Sequence, residues 1–265
     1  MGDQPTSETT LNDYPTMLAR VDHTEPVPRR VRGYLGGRLV FDTQEALYVW
    51  EWPNYAQFYI PATDVEAGLI VDEQTVKRVR QEIERVHGLR VPQVTHTGCA
   101  MLFTDDSLKG SFRQGALRLG CPRLVVRGGR EVFVHPRNPY TRVEALKSTR
   151  AVRIELDGTV LAESSSPVLV FETGLPTRYY LNRTEVTLDC LIPTDTVTSC
   201  PYKGRTSGYW SVQIGRTIHQ DLAWAYDFPT RQLLPIAGLI AFYNEKVDVF
   251  REGRLRPRPV THFFA

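Results

Sequence analysis

The stretch Val31–Val65 returns at Val152–Val186, displaced by 121 residues and without a gap, and nine of its 35 positions are identical. The identities are Val31/Val152, Arg32/Arg153, Leu35/Leu156, Gly37/Gly158, Val49/Val170, Glu51/Glu172, Tyr59/Tyr180, Thr63/Thr184 and Val65/Val186. A chain that repeats itself in this way folds as two related units, each burying its own apolar face. Within both copies the apolar residues alternate around a two-residue turn, Gly36-Gly37 in the first and Asp157-Gly158 in the second. That is the pattern of a β-hairpin whose turn needs positive φ. The hairpins are Val31–Tyr34 with Arg38–Asp42, and Val152–Leu156 with Thr159–Glu163. Turn geometry and buried faces explain the shared glycine and apolar positions, but not the paired Glu51/Glu172 and Tyr59/Tyr180.

Beyond the hairpins, strands are expected at Ala46–Glu51 and Gln57–Pro61. Val76, Val79, Ile83 and Val86 fall on one helical face, with Gly88 as a stop, so the spacing predicts an amphipathic helix over Asp72–His87. The second copy has no equivalent helix in this reading. It continues through Pro201–Gly204, Tyr209–Ile214, His219–Tyr226 and Ile236–Phe250 as short strands and turns. Leu124–Val126 and Val132–His135 are expected to close the first unit. The expected organisation is a flexible arm over residues 1–27, a first β unit over 28–135, a connector over 136–150 and a second β unit over 151–265.

Bulk properties exclude several function classes. The 265 residues are 42% hydrophobic and 23% charged, an ordinary globular mixture able to bury its own core. With 32 basic against 30 acidic residues, the net charge of +2 gives no broad face for nucleic acid. Arg29, Arg30 and Arg32, and Arg251, Arg254, Arg256 and Arg258, are local clusters of the kind that solvated loops carry. Cys99, Cys121, Cys190 and Cys200 contain no C-x-x-C pair, which argues against a disulfide framework and a structural zinc. No apolar run is long enough to span a bilayer, and residues 1–10 lack a signal core. A cytoplasmic protein with neither membrane nor nucleic-acid partner, and open to homo-oligomerisation, is the expectation.

Three further runs carry a family resemblance: Phe171-Glu172-Thr173-Gly174-Leu175-Pro176-Thr177-Arg178-Tyr179-Tyr180, Cys200-Pro201-Tyr202-Lys203-Gly204 and Ala241-Phe242-Tyr243-Asn244-Glu245. They resemble the family called domain of unknown function 427, and Val132–Tyr140 resembles the link of its tandem members. The resemblance covers Val152–Gly253 and Val31–Val65, and departs over Glu66–Arg130. It implies a mainly β fold of two small bent-sheet, β-tent-like units in tandem, with the predicted helix inserted in the first. Relatives of that fold often hold zinc on paired cysteines, which this chain lacks. The family's nucleotidyltransferase-like label finds no G-x-x-x-x-G-K-[ST] loop and no paired-carboxylate motif here.

The candidate chemistry lies in these runs. Glu172, beside Arg178, Tyr179 and Tyr180, is either a general acid or base or an ion pair pinning a turn. The first copy has Gln57 where the second has Arg178. Cys200, Tyr202 and Lys203 bring a thiol, a phenol and an amine to one turn, where a nucleophile would need a base or a desolvated setting. On a regular strand His219 and Asp221 would share one face, and Trp224 and Tyr226 the other. Tyr243, Asn244 and Glu245 form a polar cluster where a strand leaves the core. His96-Thr97-Gly98-Cys99 is a lesser candidate in the first copy.

Two readings follow. One is a small-molecule-binding protein, or a cofactor-independent, metal-free enzyme, performing isomerisation, elimination or cyclisation on a small polar organic substrate. Glu172, Lys203 and Tyr180 would then be catalytic, and Arg178, Tyr179, Cys200, Tyr202, His219, Trp224, Tyr243, Asn244 and Glu245 would bind the ligand. The other is a structural or protein-interaction module that presents the diverged Glu66–Arg130 segment. In the first reading the second copy carries the site, with the first as scaffold or lid.

Overall fold

The computed structural model describes residues 19–21, 23–79, 82–91, 94–103, 116–119, 125–127, 130–132, 135–261, 263 and 264, and between 75 and 131 it describes the backbone alone. Most of the predicted N-terminal arm, Cys99, Cys121 and the side chains of the His96–Cys99 run therefore lie outside the described residues or side chains. The chain forms two compact units. One reaches Tyr140 and takes in Ser199–Pro201, and the other comprises Thr141–Thr198 and the chain from Tyr202 onward.

The protein is mainly β, as the hairpin patterning predicts. The N-terminal unit contains β1 (Thr24–Pro26), β2 (Val31–Leu35), β3 (Arg38–Thr43), β4 (Leu47–Trp52), β5 (Tyr55–Pro61), β6 (Ile70–Val79), β7 (Glu82–Val91), β8 (Val94–Phe103), β9 (Ala116–Leu119), β10 (Val125–Arg127) and β11 (Arg130–Glu131). Then follow β12 (Val143–Lys147), within the expected connector, and β13 (Val152–Leu156), β14 (Thr159–Ser164), β15 (Val168–Glu172), β16 (Arg178–Leu181) and β17 (Leu191–Thr194). The remaining strands are β18 (Ser199–Cys200), β19 (Gly204–Arg205), β20 (Gly208–Ile214), β21 (Thr217–Ala225), β22 (Ile240–Phe242), β23 (Asp248–Arg251) and β24 (Arg254–Arg256).

The two hairpins form as expected. Gly36 and Gly37 have φ of 57° and 81°, and Asp157 and Gly158 have 50° and 78°, the paired positive values that match the twist of the flanking strands. In β2 and β13 alike, alternate residues enter the core: Val31 and Leu35 in one unit, Val152, Ile154 and Leu156 in the other.

One cross-strand pair shows how closely the copies correspond. Gly33 faces Phe41 in the N-terminal unit, and at the equivalent positions Ile154 faces Ala162. A Cβ on Gly33 would lie 2.0 Å from the Phe41 ring, so the ring occupies the space that a side chain at residue 33 would need. The volume is supplied once per pair, from opposite strands in the two copies.

The helix predicted over Asp72–His87 is absent. This segment forms parts of β6 and β7, which pair antiparallel with Val76 opposite Arg85 and Lys77 opposite Glu84. The spacing of Val76, Val79, Ile83 and Val86 fits a helix, but β-branched Val71, Thr75, Val76, Val79, Ile83 and Val86 favour extended backbone, and pairing with neighbouring strands decides the outcome.

This correction extends the duplication to both large sheets of each unit, with only the two-stranded β18-β19 sheet left without a counterpart among the described residues. The N-terminal unit has a seven-stranded sheet ordered β1-β4-β5-β9-β8-β7-β6, and the C-terminal unit has one ordered β12-β15-β16-β22-β21-β20-β17. The four-stranded sheets, β11-β10-β2-β3 and β24-β23-β13-β14, match in the same way. β6 and β7 are thus the counterparts of β17 and β20, not an insertion. The sheets are open among the described residues, and no described helix is long and apolar enough to cross a membrane.

If Gly33 and Phe41 share one volume, Gly33→Ile alone should cost roughly 1–3 kcal/mol or more by overpacking. Phe41→Ala alone should cost about 3–5 kcal/mol through the cavity it leaves. The double variant, which copies Ile154 and Ala162, should recover most of both losses. Urea midpoints of the four proteins measure the coupling.

Candidate functional site

The register of the large C-terminal sheet lays one row of residues across its strands. Val168 pairs with Tyr180, Tyr180 with Ala241, Ala241 with Trp224, Trp224 with Tyr209, and Tyr209 with Thr194. Residues directly opposite one another share a face. Ala241 is small, so Tyr180 and Trp224 meet across it, edge to face, with centroids 6.4 Å apart. Trp224 Nε1 donates to the Tyr180 hydroxyl at 3.2 Å. On its other side Trp224 stacks on Tyr209, and Tyr243, one residue beyond β22, brings its ring within 4.3 Å.

The Tyr209 and Tyr243 hydroxyls lie 2.6 Å apart. Burial, together with this bond, pushes the Tyr243 phenol well above its ordinary range. It therefore remains protonated at neutral pH and acts there as a hydrogen-bonding group, not as a base.

Arg178 begins β16, and its side chain is only 6% exposed. Its Nη1 and Nη2 donate to Glu245 Oε2 and Oε1 at 2.6 and 2.7 Å, a bidentate fork. The guanidinium also lies 5.9 Å from the Trp224 ring centre and 5.7 Å from that of Tyr243. Glu245, with a side chain 3% exposed, takes a further hydrogen bond from Thr261 Oγ1 at 2.7 Å. Burial alone would raise the Glu245 pKa, but the Arg178 bonds and charge, with Thr261, outweigh it and hold the carboxyl below its usual range. Asn244 Nδ2 donates to Thr177 O at 2.7 Å, fixing the Tyr243–Glu245 turn against the residue preceding Arg178.

Glu172 ends β15, where Leu175 N bonds Glu172 O and Gly174 takes a φ of 80°. Its carboxylate is hydrogen-bonded by the Lys203 ammonium, and both side chains are only 9% exposed. Lys203 is set by its turn: Thr230 N donates to Lys203 O at 3.0 Å and Thr230 Oγ1 to Tyr202 O at 2.6 Å. In the N-terminal copy the equivalent Glu51 instead accepts from Tyr59 OH, at 2.8 Å, within its own sheet.

Several other candidates lie elsewhere. Tyr179 points into the hydrophobic core, opposite in direction to its neighbours Arg178 and Tyr180. Cys200 is half-buried in β18, and Tyr202 is buried with its backbone tied to Thr230. Tyr226 is buried beyond Trp224. His219 and Asp221 do not form a dyad. His219 Nε2 lies 3.2 Å from Asp157 Oδ2, while the Asp221 carboxylate accepts from Thr194 and Thr196 at 2.8 and 2.7 Å. Between the pairs Trp210/Ala223 and Val212/His219, β21 is longer than β20 by two residues, and Asp221 takes a φ of 50°. This bulge breaks the alternation on which a shared face depends.

Tyr209, Thr230, Thr261 and Phe264 belong to the site but were not among the candidates. Tyr209 could have been found from its place in the strand pattern Tyr209–Ile214. Phe264 packs edge to face on Tyr243 at 5.0 Å, and like Thr261 it follows the family-like runs, so nothing local marks it. Of the basic clusters, Arg30 and Arg32 both bond Asp42, and Arg258 bonds Asp248. Among the described residues no group of three or more His, Cys, Asp or Glu could hold a metal ion.

A duplicated pair of open β-sheets, with a buried row of charged and aromatic residues in the second copy, defines the class of protein. Residues 23–84 and 144–253 match the family described as a domain of unknown function (DUF427), and the chain belongs to that family. No curated protein matches it.

Removing Arg178 alone would strand a buried carboxylate. Arg178→Met should cost roughly 3–5 kcal/mol, and Arg178→Met with Glu245→Leu much less, since the stranded charge is then gone. Because the Glu245 pKa is depressed by folding, its contribution is present above the ordinary carboxylate value and lost as pH falls through the folded value. The stability gap between wild type and Glu245→Gln should therefore be flat over roughly pH 6 to 8 and narrow below about pH 4. Urea titrations across this range check both expectations.

Proposed function

We propose that the C-terminal unit binds a small polar organic molecule beside the Glu172–Lys203 pair and is equipped for acid-base chemistry on it. The observation that carries this reading is the different use of one repeated glutamate. Glu51 is bonded by a tyrosine of its own sheet, whereas Glu172 is joined by a lysine from a distant turn. A carboxylate and an amine held together, each about nine-tenths buried, can exchange a proton and face a ligand with little competing water. Hairpin geometry needs neither group.

The rest of the row supports the same reading. By register, the positions equivalent to Ala241, Trp224 and Tyr209 are Arg118, Met101 and Val86 in the N-terminal unit. The aromatic surface is thus particular to the C-terminal copy. Arg178–Glu245 and the Tyr209–Tyr243 bond hold this surface in place, and Tyr180 contributes a phenol within it. Isomerisation, elimination and cyclisation are the reactions such a set suits. Phe228, 90% exposed, is the feature that favours the interaction-module reading, but a single exposed ring is common on protein surfaces.

Native mass spectrometry of the purified full chain tests the proposal. Wild type should retain a small molecule. The near-isosteric Glu172→Gln/Lys203→Met variant should lose it, by about tenfold in occupancy or more, while keeping a cooperative unfolding transition. Equal retention by the two proteins, or none by wild type across a metabolite screen, would refute the assignment.

A further inference from the structure

The chain has five lysines, Lys77, Lys109, Lys147, Lys203 and Lys246. Lys147 and Lys246 are exposed, while Lys203 is buried against Glu172. Its backbone is fixed on both sides. Thr230 bonds the carbonyls of Tyr202 and Lys203, and Gly204 takes a φ of 105° with the Phe228–Thr230 backbone beside it. An amine held in this way is shielded from bulk water, and the Glu172 carboxylate, though as a counter-charge it favours the ammonium, is in place to accept the proton that a nucleophilic lysine must lose.

We propose that Lys203 condenses with the carbonyl group of an aldehyde or ketone to form an imine, with Glu172 as the proton carrier. The proposal rests on the small-molecule reading above and names its substrate class. Glu172 first takes a proton from the ammonium, leaving a neutral amine and a neutral carboxyl. The nitrogen lone pair forms the C–N bond while the carboxyl proton passes to the carbonyl oxygen. Glu172 then removes a proton from the new nitrogen, giving a neutral carbinolamine. It returns that proton to the hydroxyl, the C–O bond breaks, and water leaves. The product is an iminium cation beside the Glu172 carboxylate, so the ionic pair of the resting protein is preserved and no oxidant or reductant is consumed.

The test uses the folded full chain with limiting propionaldehyde and sodium cyanoborohydride, which reduces an iminium to a stable propylamine, followed by peptide mapping. Burial alone would make Lys203 the slowest of the mapped lysines to react. The proposal expects Lys203 to be modified about tenfold faster than Lys147 and Lys246. Glu172→Gln should slow that reaction by about a hundredfold, with Glu172→Asp recovering part of it, while labelling of Lys147 and Lys246 stays constant in both. Constant labelling at those two sites, with an unchanged unfolding transition, separates lost proton transfer from lost folding.

Modification of Lys203 no faster than of Lys147 in wild type overturns the imine. If wild type still retains a small molecule in the native mass spectrum, the binding reading survives that result. If it retains none, both fall.

Discussion

Arg178 carries a guanidinium charge, and the fold buries it almost entirely. Leaving such a group in a protein interior without partners would cost several kcal/mol. The structure meets this demand with a bidentate carboxylate from Glu245 and two aromatic faces, Trp224 and Tyr243. Each partner then needs support of its own. Glu245 is oriented by Thr261, Tyr243 is bonded by Tyr209, and the turn carrying both is tied by Asn244 to Thr177. Much of the residue choice on this face follows from one buried guanidinium.

The N-terminal copy never meets that demand, because Gln57 stands at the equivalent position. Neutral Gln57 needs no buried carboxylate, and Glu51 is bonded by Tyr59 inside its own sheet. The two copies thus represent different solutions on one topology. In the first, the repeated Glu and Tyr bond each other. In the second, Tyr180 takes its bond from Trp224, and Glu172 turns to Lys203. The shared residues have become separate parts of a larger network.

The hairpins and the opening strands of each unit were legible in the sequence, because local turn chemistry and alternation determine them. The second half of the first unit was not. Val76, Val79, Ile83 and Val86 satisfy a helical period as well as β propensity, and only pairing with β8 and with each other selects strands for β6 and β7. The shared face expected for His219 and Asp221 on a regular strand fails for a related reason. A bulge with positive φ at Asp221 is set by pairing with β20 and leaves no mark on spacing. Tyr209, Thr261 and Phe264 could not be joined to the Arg178 cluster from sequence, since their contacts with Tyr243 and Glu245 cross 16 to 34 residues of chain and exist only once the fold is known.

Register also explains why the two copies could diverge so far without losing the fold. A row across a sheet is held by backbone bonds that do not depend on its side chains, so its contents can change while its geometry stays. The constraint falls on size at the centre of the row. Tyr180 and Trp224 meet only because Ala241 lies between them, whereas the equivalent strand places Arg118 between Tyr59 and Met101. A large residue at position 241 would push apart the rings on either side and remove the hydrogen bond between them. The aromatic surface beneath Arg178 therefore depends on the smallest residue in its row.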